Sequence, residues 1–208
     1  MPLQNRVTPT GEIVAVPARG LFVGNRGVLH DERKRLGRRR WALKAWIICQ
    51  LAFKGRHREV MTPRRWTELF FLDEAVAIAA GHRPCYECRR DRFRAWQTAW
   101  QTAQDLPQPP RAPEMDACMH AERIEPGTRS QRIWRSTAED LPDGAFVTVD
   151  GVPHLVRGDG IRPWSWAGYG MAVARPSGEL TVLTPPSSVA VLRAGYRPVL
   201  HPSAASEM

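Results

Sequence analysis

The chain has 208 residues, 43% of them hydrophobic and 25% charged, with 30 Lys+Arg against 21 Asp+Glu and a net charge of +9. That composition supports one ordinary globular domain or two small ones; it excludes collagen-like, coiled-coil and wholly disordered chains, and no run approaches the ~20 apolar residues of a membrane span. Only Lys34, Lys44 and Lys54 are lysines, so the positive charge is carried almost wholly by guanidinium groups, which grip phosphate or carboxylate through paired hydrogen bonds.

In chain order, Glu12 to Val16 reads as a short strand and Leu21 to His30 as a second apolar run interrupted by Gly24-Asn-Arg-Gly27. Arg19, Asn25 and Arg26 break the apolar stretch near the start, so no signal peptide is expected and the expected location is cytoplasmic. Six of the eight residues Arg33 to Arg40 are basic. Ile47 to Phe53, then Lys54-Gly55, then Arg56 to Met61 reads as a β-hairpin turning at Lys-Gly. Asp73 can cap a helix over Glu74 to Ala80 that Gly81 stops in a left-handed turn. From Arg89 to about Ala103 a second helix carries Phe93, Trp96 and Trp100 on one face, a stripe of core spacing.

The stretch Asp105 to Pro113 holds four prolines in nine residues and reads as a stiff connector. Residues 1–104 hold 20 basic and 9 acidic residues, whereas residues 105–208 hold 10 and 12, so the charge belongs to the first half. Glu114 to Ile124 reads as an amphipathic helix. After Ala138 the pattern turns to short strands: Gly144 to Asp150 and Val152 to Arg157 form a hairpin at Gly151, and Ile161 to Gly170 sets Trp164, Trp166 and Tyr169 among glycines. Thr181 to Pro198 echoes residues 69–84, each with strand, short helix, Gly, aromatic ring and Arg-Pro, a plan that a shared helix stop also explains. The expected fold class is α+β, a small zinc-knuckle α/β module over 1–104 followed by a short-stranded β-rich module over 114–201, with 105–113 as connector and 202–208 as a disordered tail.

Four cysteines, Cys49, Cys85, Cys88 and Cys118, are expected to be thiols or metal ligands in a reducing compartment. Cys85-x-x-Cys88 at a helix start is the strongest chemical signal, because two thiolates at that spacing hold one tetrahedral metal such as zinc and helix amides favour their charge. Cys49, His57, Cys118 and His120 compete to complete the set. The two cysteines alone, holding nothing or acting as a redox dithiol, are the alternative.

Phe70 to Arg90, with its Ala-rich helix followed by Gly81-His-Arg-Pro-Cys-Tyr-Glu-Cys88-Arg, resembles the second half of the zinc-binding domain of the bacterial Ada DNA-alkylation-response proteins. The resemblance covers 21 residues and implies zinc on Cys85 and Cys88 in a small α+β domain whose basic surface meets DNA. It departs where that family supplies a Cys-x3-Cys pair upstream: this chain has Lys54-Gly-Arg-His57-Arg58 there, so the methyl-transfer chemistry is not implied. His120-Ala-Glu122 with Pro84-Cys85-x-x-Cys88 is similar in its parts, in reversed order, to zinc-dependent nucleobase deaminases, in which the His binds zinc and the Glu moves protons.

Two functions follow. One is a zinc-binding protein that holds nucleic acid, DNA ahead of RNA, through Arg38, Arg39, Arg40, Arg56, Arg58, Arg64, Arg65, Arg89 and Arg90, with a link to DNA repair or modification. The other is a zinc hydrolase or deaminase with Cys85, Cys88 and His120 as ligands, Cys49 as a further candidate, Glu122 as proton shuttle, and Trp164 or Tyr169 stacking a base-like substrate.

Overall fold

Asp73 starts the first helix by accepting a hydrogen bond from Val76 N at 2.9 Å, which satisfies an amide that the helix itself leaves without a partner. A computed structural model describes residues 1–55, 59–128 and 130–205 and shows an α+β fold. Its elements are β1 (Gln4–Val7), β2 (Ile13–Ala15), β3 (Phe22–Asn25), β4 (Ile47–Gln50), β5 (Leu69–Phe71), α1 (Glu74–Ala79), β6 (Arg83–Pro84), α2 (Arg90–Ala103) and α3 (Ala112–Arg123). Then follow β7 (Trp134–Thr137), β8 (Phe146–Val149), β9 (Val152–Arg157), β10 (Gly160–Ser165), β11 (Gly168–Tyr169), β12 (Val173–Ala174), β13 (Glu179–Val182) and α4 (Pro186–Arg193).

The first sheet runs β2-β1-β5-β3-β4-β6 and the second runs β11-β10-β9-β8-β13-β7, with β12 beside β10. The first mixes directions, because β1 pairs with β5 and β4 with β6 in parallel, whereas the second is antiparallel throughout. The hairpin expected at Gly151 forms as β8 and β9, with Asp150 and Gly151 both in the left-handed region that such a tight turn requires. Among the described residues no strand after Lys54-Gly55 pairs back onto β4, as the expected hairpin requires. Lys54 and Gly55 take left-handed turn conformations, but β4 is already held on one edge by β3 and on the other by β6, and Val60 and Met61 lie in a turn. Residues 56–58 lie outside the described residues.

A single core draws from both halves of the chain: Phe71, Ile78 and Trp96 share it with Phe146, Leu155 and Leu192. The stripe Phe93, Trp96, Trp100 is buried in it, as its spacing predicts. Helix α3 begins at Ala112 and not after the last proline, since Pro113 fits the first helical turn and Glu114 accepts from Arg111 N at 2.7 Å. The two helix stops of the internal echo share one geometry: His82 N donates to Ala77 O and Tyr196 N to Val191 O, each after a left-handed glycine.

Buried carboxylates tie the halves together. Asp73 also accepts from Tyr169 OH at 2.7 Å and His201 N at 2.9 Å, and Glu74 binds Arg89 at 3.0 Å and Val199 N at 2.8 Å. Pro202–Ala204 consequently forms a 3-10 turn with Ala204 buried, where a disordered tail was expected; residues 206–208 lie outside the described residues. No helix among the described residues is long and apolar enough to cross a membrane.

His82 is fully buried, accepting on Nε2 from Arg26 Nε at 3.3 Å while its Nδ1 bonds Ala77 O at 3.1 Å, an arrangement that suits the neutral ring. Burial, and then the neighbouring Arg26 and Arg123, push its pKa well below the ordinary value. The folded state therefore binds fewer protons than the unfolded state. Stability is fully present above the unfolded His value near pH 6.5 and is lost as the pH falls from there toward the folded value, at up to about 1.4 kcal/mol per pH unit. Urea titrations between pH 7 and 5 are expected to show this slope, and His82→Gln is expected to reduce it; an unchanged slope in that variant would assign the acid sensitivity elsewhere.

Candidate metal centre

Cys49, Cys85 and Cys88 come together although the first and second lie 36 positions apart. The parallel pairing of β4 with β6 aligns Ile47 with Arg83 and Ile48 with Pro84, so the next residue on each strand is a cysteine; Cys85 N donates to Ile48 O at 2.9 Å. Beyond Cys85 the chain turns into α2, Arg89 N donating back to Cys85 O at 3.2 Å, and that turn returns Cys88 to the same place. The three sulfurs lie within 4.8 Å of one another. Cys85 is buried and the other two are half-buried.

The electrostatics favour a shared negative charge. Hydrogen bonds from the Cys49 and then the Cys88 sulfur, helped by the backbone amides of Cys88 and Glu87, hold the Cys85 thiol well below its usual range. The same contacts, Cys85 first, push Cys49 up. One thiolate served by two thiols is a site from which a cation can displace the remaining protons. Three sulfur donors suit a soft or borderline metal and do not suit magnesium or calcium. The sulfur edges of a zinc–thiolate tetrahedron are about 3.8 Å, so the cluster needs only a small contraction to close on such an ion. The residues present therefore fit a metal ion.

A cavity of about 300 Å³ opens on the sulfurs. Phe53, Trp66 and Phe70 supply aromatic walls, and Asn25 and Glu68 polar ones. Glu68 is buried and accepts from Met61 N at 2.7 Å. The sequence reading missed Trp66, Glu68 and Phe70 as neighbours of the cysteines, since nothing local marks them; only the β3–β5 pairing brings this segment to the site.

His120 does not join the cysteines. It stands beside Trp41 and Trp46, with ring centroids 5.8 and 6.3 Å away, and its Nδ1 contacts Arg123. Glu122 is occupied too: its carboxylate accepts from Ser187 N at 2.9 Å and Ser187 Oγ at 2.6 Å at the first turn of α4, a helix-end contact. Helix α3 packs against α4. Cys118 is exposed on α3 and donates to Glu122, and burial of its sulfur, then that carboxylate, pushes its thiol up to about 11. His57, Arg56 and Arg58 lie outside the described residues.

The stacking and phosphate-binding candidates divide similarly. Tyr169 is a core residue held by Asp73, and Trp164 packs edge-on against Trp166 with ring centroids 4.9 Å apart. Arg89 is buried, paired with Glu74 and lying over Phe22 at 4.4 Å, so it has no face for a phosphate. Arg38, Arg39, Arg64, Arg65 and Arg90 are exposed, and Arg40 is half-buried. Tyr86, between the two knuckle cysteines, is 52% exposed with the Arg90 guanidinium over its ring at 4.9 Å. Compared with protein families, with curated proteins and with solved structures, the chain gives no match.

Proposed function

We propose that the chain binds a zinc ion through Cys49, Cys85 and Cys88 and uses the arginine-rich surface around that knuckle to hold nucleic acid, DNA in preference to RNA, in a repair or modification setting. The observation that carries the reading is the convergence of three sulfurs at a turn that also presents Tyr86 and Arg90 to solvent. A metal there fixes the turn. An exposed ring backed by a guanidinium is a surface on which a base can stack, and the exposed Arg64, Arg65 and Arg94 offer phosphate contacts. Arg64 does reach Glu32 at 3.5 Å, but both groups are exposed and such a pair is weak and easily exchanged for a phosphate. The preference for DNA rests on the resemblance of residues 70–90 to the Ada zinc domain. The hydrolase reading loses support, since His120 and Glu122, its third ligand and its proton shuttle, stand apart from the cysteines.

The test is fluorescence anisotropy with labelled duplex DNA and an RNA of the same sequence at several salt concentrations. For four phosphate contacts the affinity is expected to fall about 100-fold between 50 and 200 mM salt, and each of Arg64→Gln, Arg65→Gln and Arg90→Gln is expected to flatten the log–log slope by about 1. Tyr86→Ala is expected to weaken single-strand binding by about 1–3 kcal/mol. Affinity that stays flat with salt would sink the proposal, because phosphate contacts necessarily release counterions.

A further inference from the structure

A second cavity, of about 510 Å³, lies between the β1–β2 turn, the Trp41–Trp46 segment and the end of α3, and no cysteine lines it. Three arginines, Arg26, Arg40 and Arg123, contribute to its walls, with Trp41, Trp46 and Gln131. Arg26 and Arg123 are 2% and 1% exposed and both lie against Trp46, their guanidinium carbons 4.0 and 3.8 Å from its ring centroid.

Among the described residues no carboxylate forms an ion pair with Arg26, Arg40 or Arg123. Arg26 donates to Gly11 O at 3.1 Å and to His82, and Arg123 donates to the carbonyls of Gly81 and Lys44. Asp116, whose charge acts on Arg123, is committed to Arg83 through two hydrogen bonds of 2.8 Å. Glu12 lines the cavity only from its exposed rim. The Arg26 Nη2 is buried without a partner, as is the Gln131 Oε1. Both atoms face Gly11, where an added Cβ would stand 3.0 Å from Gln131 Oε1 and 3.8 Å from Arg26 Nη2. Burial, and then repulsion from Arg40, bring the Arg26 guanidinium down to about 9, the response of a cation whose neighbours do not compensate it.

Buried charge normally comes with a partner, and cation–π contact with one tryptophan supplies only part of what two guanidinium groups lose on leaving water. A group carrying two negative charges suits three arginines better than a single carboxylate does, and indole rings in the wall suit a planar body attached to it. The volume is that of a small-ligand site. We infer that this cavity binds a phosphate monoester on a planar body, of nucleoside monophosphate size, with Arg26, Arg123 and Arg40 around the phosphate and Trp41 and Trp46 beside the ring. The inference does not depend on the cysteine site.

Calorimetric titration of the full chain with AMP, inorganic phosphate and adenosine tests it. AMP and phosphate are expected to saturate, with adenosine at least tenfold weaker than AMP. Arg26→Gln is expected to weaken AMP at least tenfold. Arg40→Gln is expected to weaken it about three- to tenfold and to keep the fold, since that side chain is half-buried and, among the described residues, bonds only Gly37 O at 2.9 Å. An oligonucleotide with and without a 5′-phosphate, used as competitor, separates the two sources of the group: displacement of AMP only by the phosphorylated strand identifies a strand end, and displacement by neither identifies a free nucleotide. The inference fails if adenosine binds as well as AMP, if Arg40→Gln leaves AMP affinity unchanged, or if neither phosphate compound saturates by about 10 mM, beyond the range of weak specific ligands.

Discussion

Each of Cys49→Ser, Cys85→Ser and Cys88→Ser is expected to reduce the bound zinc of the purified chain to less than about a tenth of one equivalent, while Cys118→Ser retains it. The geometry sets this contrast. Three sulfurs within 4.8 Å share one site, and removing any of them leaves two, whereas Cys118 is exposed on α3 and hydrogen-bonded to Glu122. A ligand that binds only the folded state stabilises it by RT ln(1 + [L]/Kd), about 4 kcal/mol at a thousandfold excess over Kd, which for a chain of this size corresponds to roughly 10 °C in Tm. Chelation of the wild type and the three serine variants are expected to lower Tm by that amount, and the Cys118→Ser protein is expected to melt with the wild type. Cobalt(II) in place of zinc gives a thiolate charge-transfer band as an independent readout. Full metal content in Cys85→Ser, or a Tm indifferent to chelator, would remove the metal from the reading of this site.

The second large effect is expected at Glu74, which has nothing to do with metal. Its carboxylate is fully buried at the start of α1, where it receives Arg89 at 3.0 Å, Arg92 at 3.3 Å, Tyr196 OH and Val199 N. Arg89 is itself 5% exposed and pairs with no other carboxylate among the described residues, so Glu74→Ala strands a buried cation and is expected to cost about 3–5 kcal/mol in urea denaturation. The paired replacement Glu74→Met with Arg89→Met removes both charges and is expected to recover most of that loss, since apolar pairs of similar volume often replace buried ion pairs at little cost. A loss below about 1 kcal/mol in Glu74→Ala would show that the cluster is solvated in a way its burial contradicts.

Much of the local structure was legible from residues close together in the chain. Asp73 and Gly81 bracket α1 because a carboxylate three positions before an amide and a residue free to take φ near +83° act within one helical turn. Phe93, Trp96 and Trp100 announced a buried face by spacing alone. The Cys85-x-x-Cys88 knuckle was visible for the same reason. Cys49 was visible only as one of four competitors, since its selection depends on the parallel β4–β6 pairing. The arginine count misled at Arg89 and concealed Arg26 and Arg123, because composition reports charge and cannot say which guanidinium groups the core takes in. His120 and Glu122 looked like chemistry and serve packing and a helix end.

Sequence thus determined the arginine-based charge, the helix stops and the two-cysteine knuckle, all set by interactions within a few residues. Tertiary structure decided which third sulfur joins those two, which arginines stay exposed, and that two of them are buried against Trp46 with no ion-pair partner among the described residues. Those outcomes follow from strand pairings and packing between residues dozens of positions apart, where the closure of long loops, and no local preference, selects the neighbours.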